Sequence, residues 1–320
     1  MSGSKKIDYY LHSMVKNSNF ETLYKICFYD PYLNLKNLLE KLAIKDYPVG
    51  MGGCHNQGLN YTCCEYDITI FDGKKQKESI VEHDNVFYHI YHGTLQETSP
   101  DILIQYHDMK ILLDEQWELN ILLSKIKEKK EKIFNAYIKN CLIEANICIT
   151  KSKNATDSFA STWLKCTVYF LADAISAINF QRPSPTHMLN TLRGLEKNKI
   201  NKFISVITES IGIERVTPSL LARMSESTMG FSDMIENNSH SKTISQKCHY
   251  MINHSMFSDC YFYLGYINRN NFIKIKDLHR RPELIHILKT AFDLENDSFK
   301  IESQANKLQN AVNSLLSSLH

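Results

Sequence analysis

Two acidic residues and a glycine pair have the types and spacing that favour chemistry. Glu65 and Asp67 occur as Glu-Tyr-Asp in a segment of alternating character, and Gly52-Gly53 end an apolar segment, with eleven residues between Gly53 and Glu65. Side chains alternate along a strand, so both carboxylates are expected on one face, about 7 Å apart. Two such oxygen ligands can bind Mg²⁺, and glycines let a phosphate chain approach the backbone. The pattern predicts phosphoryl or nucleotidyl transfer.

A histidine is the third candidate for this site. The later strand-like segment Val86–His92 contains no acidic residue, and His89 lies at its centre. A neutral imidazole can act as a ligand or a base near pH 7, although a hard cation prefers oxygen. The alternative is a strand histidine bonded to the backbone. Glu82 and Asp84 on the neighbouring hairpin are poorer substitutes for a third acidic group.

The elements that must position these residues change in type near residue 115. Strand-like segments lie at about 47–53, 64–71, 79–82, 86–92 and 108–114, preceded by an apolar helical stripe at 33–45. Helical patterns follow at about 117–132, 133–150, 155–180, 185–193, 198–211, 217–236, 241–264, 282–292 and 297–319. This order predicts an α+β fold, with a small mixed-sheet domain over 1–114 and an all-helical domain over 115–320.

In this context the glycine pair and the Glu-Tyr-Asp motif resemble those of the polymerase-β-type nucleotidyltransferase superfamily. That family shows a helix, a strand ending in Gly-Ser or Gly-Gly, a loop of similar length, and Asp-x-Asp or a close variant on the next strand. The resemblance covers about residues 33–115, and the helical half is loosely similar to that of aminoglycoside-type nucleotidyltransferases. It implies that Gly52 and Gly53 hold a nucleoside triphosphate, that Glu65 and Asp67 bind Mg²⁺, and that His89 replaces the family's third carboxylate.

The resemblance implies an enzyme that moves a nucleoside monophosphate from a nucleoside triphosphate, with ATP expected, to an acceptor. The chain has 37 basic and 35 acidic residues and a net charge of +2, which favours a small-molecule or protein acceptor over a polynucleotide. The missing third carboxylate favours an alternative, a catalytically degenerate nucleotide-binding or regulatory protein. A further alternative is a HEPN-like ribonuclease that uses the Arg-x₄-His spacing of Arg182 and His187.

The cysteines and the apolar segments indicate in which cellular compartment the protein is expected. The nine cysteines include the adjacent pair Cys63-Cys64 but no Cys-x-x-Cys, so their spacing predicts reduced thiols rather than a structural zinc site. No apolar run reaches the roughly 20 residues of a membrane span, and the first residues lack the apolar core of a signal peptide. A cytoplasmic location without membrane association is expected, and a homo-oligomer stays open.

Overall fold

The structure is a computed structural model that describes residues 37, 44, 46–74, 78–154, 159–236, 240–275, 281–294 and 297–319. The chain divides into two compact units, Met1–Asp46 and Tyr47–His320. The helix expected over 33–45 falls in the first unit and lies almost entirely outside the described residues. The sheet, the described helices from Gly53 onward and the candidate site all belong to the second unit.

A five-stranded mixed sheet forms the first part of the second unit, counted over the residues that the structure describes. Its strands in chain order are β1 (Val49–Gly52), β2 (Tyr66–Ile70), β3 (Ser79–His83), β4 (Val86–His92) and β5 (Lys110–Leu113). Their order across the sheet is β3-β4-β2-β1-β5. Only the β2–β4 pair is parallel among these neighbours, which makes the sheet mixed.

The register of the sheet brings one residue from each of three neighbouring strands together. Gly52 of β1 pairs with Asp67 of β2, and Asp67 pairs in turn with His89 of β4. Ile68 and Ile70 are buried in the core on β2, as the alternation of a half-buried strand requires. The β3–β4 hairpin turns at Asp84 and Asn85, which both have positive φ, the requirement of a tight two-residue turn.

Helices account for most of the remaining chain. Two short helices lie among the strands, α1 (Gly53–Gln57) and α2 (Pro100–Tyr106). The later helices are α3 (Glu118–Glu128), α4 (Lys130–Asn154), α5 (Ala160–Ile178), α6 (Met188–Gly194), α7 (Ile204–Ile211), α8 (Pro218–Glu236), α9 (Ser241–Asn253), α10 (Phe257–Phe272), α11 (Leu284–Ala291) and α12 (Ser298–Ser318). This arrangement confirms the α+β class with a helical C-terminal part.

The side chain of Asp114 stabilises the start of the helix that follows β5. The Asp114 carboxylate accepts hydrogen bonds from the backbone N–H groups of Leu119, at 3.2 Å, and Asn120, at 2.8 Å. These donors belong to the first turn of α3 and have no partner within the helix. Asp114 thus caps the first turn of α3 with its side chain, although the N-cap position itself is occupied by Trp117. The domain boundary placed at 114/115 stays a prediction.

The structure differs from the expected elements at three places. The polar segment after Gly53 contains α1, and α2 was not expected at all. The single helix expected over 241–264 is two helices, α9 and α10, because the chain turns at Ser255, whose φ is 57°. The apolar spacing continues across this break, so periodicity alone does not reveal it.

The helices pack around one apolar core, and α5 is buried on nearly all sides. A buried ion pair stabilises this packing: Arg269 of α10 donates to Asp173 of α5 at 2.9 Å, and the Tyr266 hydroxyl donates to the same carboxylate at 2.7 Å. These contacts fix α10, which lines the site together with α9. No described helix is long and apolar enough to cross a bilayer.

Candidate metal centre and its cavity

Glu65, Asp67 and His89 converge, as the sequence predicts. Each offers one ligand atom, and these atoms lie within 4.8 Å of one another. The Nδ1 atom of His89 lies 3.8 Å from Oδ1 of Asp67. Glu65 directly precedes β2, so the two-residue repeat of the strand turns it to the side of Asp67. We call Glu65, Asp67, His89 and their neighbour Glu78 the carboxylate cleft.

The glycine pair lies directly against the carboxylate cleft. Gly53 follows β1 with a φ of +70°, and a Cβ atom at this position would collide with the carboxylate of Asp67. A side chain is therefore excluded by the backbone conformation and by the close approach together. Gly52 and Gly53 both line the cavity in front of the carboxylates, where the sequence places them.

Glu78 and Tyr91 orient the imidazole of His89. An Oε2 atom of Glu78 lies 3.3 Å from Nε2, and the Tyr91 hydroxyl lies 2.7 Å from Nδ1. The Glu78 carboxylate attracts a ring proton at Nε2, although this contact lacks the geometry of a hydrogen bond. The lone pair then lies on Nδ1, the nitrogen nearer Asp67, where it accepts the hydrogen bond of the Tyr91 hydroxyl. Nδ1 can take a proton or coordinate a cation once that hydroxyl turns away.

Lys247 brings a positive charge from the helical part. It lies on α9, and its Nζ atom is 2.6 Å from Oε1 of Glu65. The side chains of Lys247 and Glu65 are only 7% and 15% exposed. The second oxygen of Glu65, Oε2, is buried and has no hydrogen-bond partner among the described residues. An unpaired buried carboxylate oxygen is costly, and it offers a ligand position on the cleft.

Burial and mutual repulsion shape the proton affinities in the cleft. Burial, together with the neighbouring Glu65 carboxylate, raises the pKa of Asp67 to about 6, although His89 and Lys247 oppose this. Burial also raises the pKa of Glu65, but the Lys247 ammonium outweighs it and the net pKa is lowered. The close contact with His89 lowers the pKa of Glu78 to about 2. Asp67 is the carboxylate that a further cation would relieve most.

The donor set fits a divalent cation. Glu65 Oε2 has no other partner in the described chain, and Asp67 faces a glycine rather than a side chain. Two carboxylates supply the hard oxygen ligands that Mg²⁺ prefers. The adjacent imidazole also suits Mn²⁺, which accepts nitrogen more readily. Glu65 and Asp67 would hold the ion, with His89 beside it.

A cavity of about 470 Å³ opens in front of the cleft. This volume is within the range of small-molecule sites. Its walls come from both the sheet and the helical part, and its basic residues are Arg182, Lys247 and Lys274. The Nε atom of Arg182 is buried without a hydrogen-bond partner in the described ranges. Cationic and acidic groups thus face one space.

Sequence analysis missed several residues of this cavity. Glu78 and Lys247 come from segments with no motif, and Lys247 is 182 positions from its partner Glu65. Arg182 was noted only for the Arg-x₄-His spacing and not as part of this cavity. No local spacing could connect them. A lysine within the polar stretch of a helical pattern was the only signal available for Lys247. Glu82 and Asp84, the poorer substitutes for a third acid, are not among the residues that line the cavity.

The two residues of the Arg-x₄-His spacing have different surroundings. Arg182 lies beside the Tyr137 ring, 6.0 Å from its centroid. His187 is buried, with Nε2 3.5 Å from the Cys64 sulfur and its ring 4.3 Å from that of Tyr61. Nothing in this geometry favours joint action of Arg182 and His187 on RNA.

Comparison of the chain with protein-family models and with curated proteins finds no match.

Proposed function

We propose that the protein is a divalent-cation-dependent nucleotidyltransferase that moves a nucleoside monophosphate from a nucleoside triphosphate, with ATP expected, to a small-molecule or protein acceptor. The observation that carries this proposal is the convergence of Glu65, Asp67 and His89 opposite Gly53, within one cavity. Carboxylates on one strand, a glycine turn and a third group on a later strand are the parts that the nucleotidyltransferase resemblance implies.

The charges of the cavity suit a polyphosphate. Mg²⁺ or Mn²⁺ at Glu65 and Asp67 would neutralise charge on the phosphates and position them. Arg182 and Lys274 line the same cavity and would contact the phosphate oxygens that lie farther from the carboxylates. The net charge of +2 supports a compact acceptor rather than a polynucleotide.

His89 is suited to take the proton from the acceptor. The acceptor hydroxyl oxygen forms a bond to the α-phosphorus, the bond from that phosphorus to pyrophosphate breaks, and the hydroxyl proton passes to Nδ1 of His89. Glu78, 3.3 Å from Nε2, stabilises the imidazolium that results. A neighbouring carboxylate therefore supplies indirectly the negative charge that a third acidic group supplies in the family.

The test uses the full chain and α-labelled nucleoside triphosphates with Mg²⁺ or Mn²⁺. A desalted cell extract supplies acceptors, and the label is followed separately in proteins and in small molecules. We expect transfer that requires the cation and is lost in Asp67→Asn. The matched control is Asp84→Asn, which changes an exposed turn carboxylate and should transfer normally. Absence of transfer from all four triphosphates would overturn the proposal.

One observation favours a second candidate, a nucleotide-binding or regulatory protein without catalysis. Lys247 already pairs with Glu65, and an imidazole stands where the family has a carboxylate. Under this alternative, ATP with Mg²⁺ raises the melting temperature of the chain without forming a transfer product. Asp67→Asn would then weaken this stabilisation and Asp84→Asn would not. Melting temperature and nucleotide transfer, both measured on the same preparations, distinguish the binding protein from the enzyme.

A further inference from the structure

A second group of ligating side chains lies behind the carboxylate cleft. Cys54, Cys64 and His187 each offer one ligand atom, and these atoms lie within 4.8 Å of one another. All three residues are buried. The Cys64 sulfur is 3.5 Å from Nε2 of His187. Two thiols and an imidazole at these distances form a soft ligand set.

Cys63 adds a third sulfur to this group. It is buried in the same small cluster as Cys54 and Cys64. Cys63 directly precedes Cys64 in the chain. Its thiol is therefore the remaining one beside the group and the candidate for a fourth ligand. We call Cys54, Cys63, Cys64 and His187 the thiol cluster.

The thiol cluster joins two neighbouring segments to a third that is distant in sequence. Cys54 lies on α1, the Cys63-Cys64 pair lies just before β2, and His187 directly precedes α6. The apolar surroundings of the cluster are small, with Tyr61 and Tyr250 packed against the cysteines. A segment with so little apolar packing can be stabilised by a bound metal ion. A link between Cys64 and His187 closes a loop of 123 positions, and long loops gain most from a cross-link.

We propose that Cys54, Cys63, Cys64 and His187 bind one zinc ion with a structural role. Three thiolates and one imidazole are a common donor set for four-coordinate structural zinc. Because all four positions are filled by protein side chains and are closed to solvent, the site has no open position for a substrate. The soft sulfur ligands exclude Mg²⁺, so the ion here is distinct from the one proposed for the carboxylate cleft.

The bound ion would position the carboxylate cleft. Cys54 follows Gly53, and Cys64 precedes Glu65. One zinc ion therefore holds the glycine turn and the first carboxylate ligand at a fixed separation, although it contacts neither. The absence of Cys-x-x-Cys spacing hid this site, because the ligands come together only in the folded chain.

The first test measures metal content in the full chain, purified without chelators. We expect about one zinc per chain by mass spectrometry. Cys64→Ser and His187→Ala should lose the zinc, whereas Cys148→Ala, a buried cysteine of α4 outside the cluster, should retain it. Zinc content is measured without nucleotide, so it stands apart from any result on nucleotide transfer.

Cobalt provides a second test that does not depend on variants that may fail to fold. Co²⁺ exchanged into the wild-type chain should give thiolate charge-transfer absorption and the intense visible bands of tetrahedral coordination. The charge-transfer intensity should fall by about one third in Cys63→Ser, because one of the three thiolate ligands is lost. A chain that contains no zinc, has free thiols and shows no cobalt bands would overturn the proposal. A native disulfide between Cys54 and Cys64 would overturn it too.

Discussion

The carboxylate cleft and the thiol cluster are neighbours in the chain and opposites in chemistry. Gly53 belongs to the cleft and Cys54 to the cluster, and the same boundary falls between Cys64 and Glu65. The cleft faces a cavity and contains oxygen ligands. The cluster is buried and contains sulfur ligands. One pair of loops thus presents hard ligands to solvent and soft ligands to the interior.

The comparison shows two ways of balancing buried charge. In the cleft, Lys247 neutralises Glu65 from the helical part of the fold, so the folded chain holds these carboxylates without a metal ion. In the thiol cluster, the same Lys247 ammonium acts on the sulfurs of Cys54, Cys63 and Cys64, and three thiolates would carry more negative charge than this one lysine balances. A cleft balanced by a side chain can exchange its cation during a reaction cycle, whereas a cluster balanced by a metal keeps it.

The largest expected effect comes from removing the side-chain cation of the cleft. Lys247→Met leaves the Glu65 carboxylate buried and unpaired, so the free energy of unfolding should fall by about 3–5 kcal/mol. Urea denaturation measures it. The double variant Lys247→Met/Glu65→Gln should recover much of the loss, because no buried charge then stands alone.

A lysine on the same helix provides the control for this change. Lys242 pairs with Glu82 at 3.6 Å, and its side chain is 74% exposed. Lys242→Met should alter the free energy of unfolding by about 1 kcal/mol or less, since exposed ion pairs contribute little. Equal instability of the single and double variants at Lys247 would contradict the charge-balance explanation.

The second expected effect separates backbone strain from collision with the cleft. Gly53 and Gly58 both have positive φ, +70° and +67°, but only Gly53 has a neighbour where a Cβ would lie. Gly53→Ala should displace Asp67 and reduce nucleotide transfer by about 100-fold, the cost of a 1 Å misplacement. Gly53→Ala and its control Gly58→Ala should each lose about 1–2 kcal/mol of stability, because alanine is strained in the αL conformation. Nucleotide-transfer rates of the two variants are measured in parallel. An equal loss of transfer in both would contradict the role of the collision with Asp67.

The parts of the cleft that the sequence predicts are those governed by local rules. Glu65 and Asp67 share a side because strand residues alternate, and Gly52-Gly53 mark the end of a strand. His89 could be placed in the sheet because it lies in the middle of a segment with a clear strand pattern. His89 pairs with Asp67 across the sheet, as it does if the strands that contain them are neighbours.

The parts that the sequence did not predict depend on contacts between distant segments. Lys247 and Glu78 have no motif, and nothing near them in the sequence indicates a carboxylate or a histidine partner. The thiol cluster is the clearest case, because its histidine is 123 positions from Cys64. Zinc-ligand spacing describes ligands that lie on one local motif. A site assembled from separate loops has no such signature.

A third prediction concerns the residue that orients His89. Glu78→Gln keeps the shape of the side chain but removes its charge, so the imidazole loses the carboxylate that fixes its tautomer. Nucleotide transfer should fall about 10- to 100-fold, as for outer-shell partners of histidine in metal sites. Glu82→Gln on the same hairpin is the control and should have normal rates. Zinc content should stay unchanged in both variants, since neither residue lies in the thiol cluster.

The smallest expected effect is a pH response confined to the cleft. The pKa of Asp67 is raised from 3.8 to about 6, so the folded chain holds this proton more tightly than the unfolded chain does. Without a cation, stability should therefore fall as pH rises from about 4 to 6. The affinity for Mn²⁺ should move the other way, rising about tenfold per pH unit below 6 and levelling above it, because the ion must displace that proton. Calorimetric titration at several pH values measures the affinity. The same steep rise below pH 6 in Asp67→Asn would assign the titration to another group.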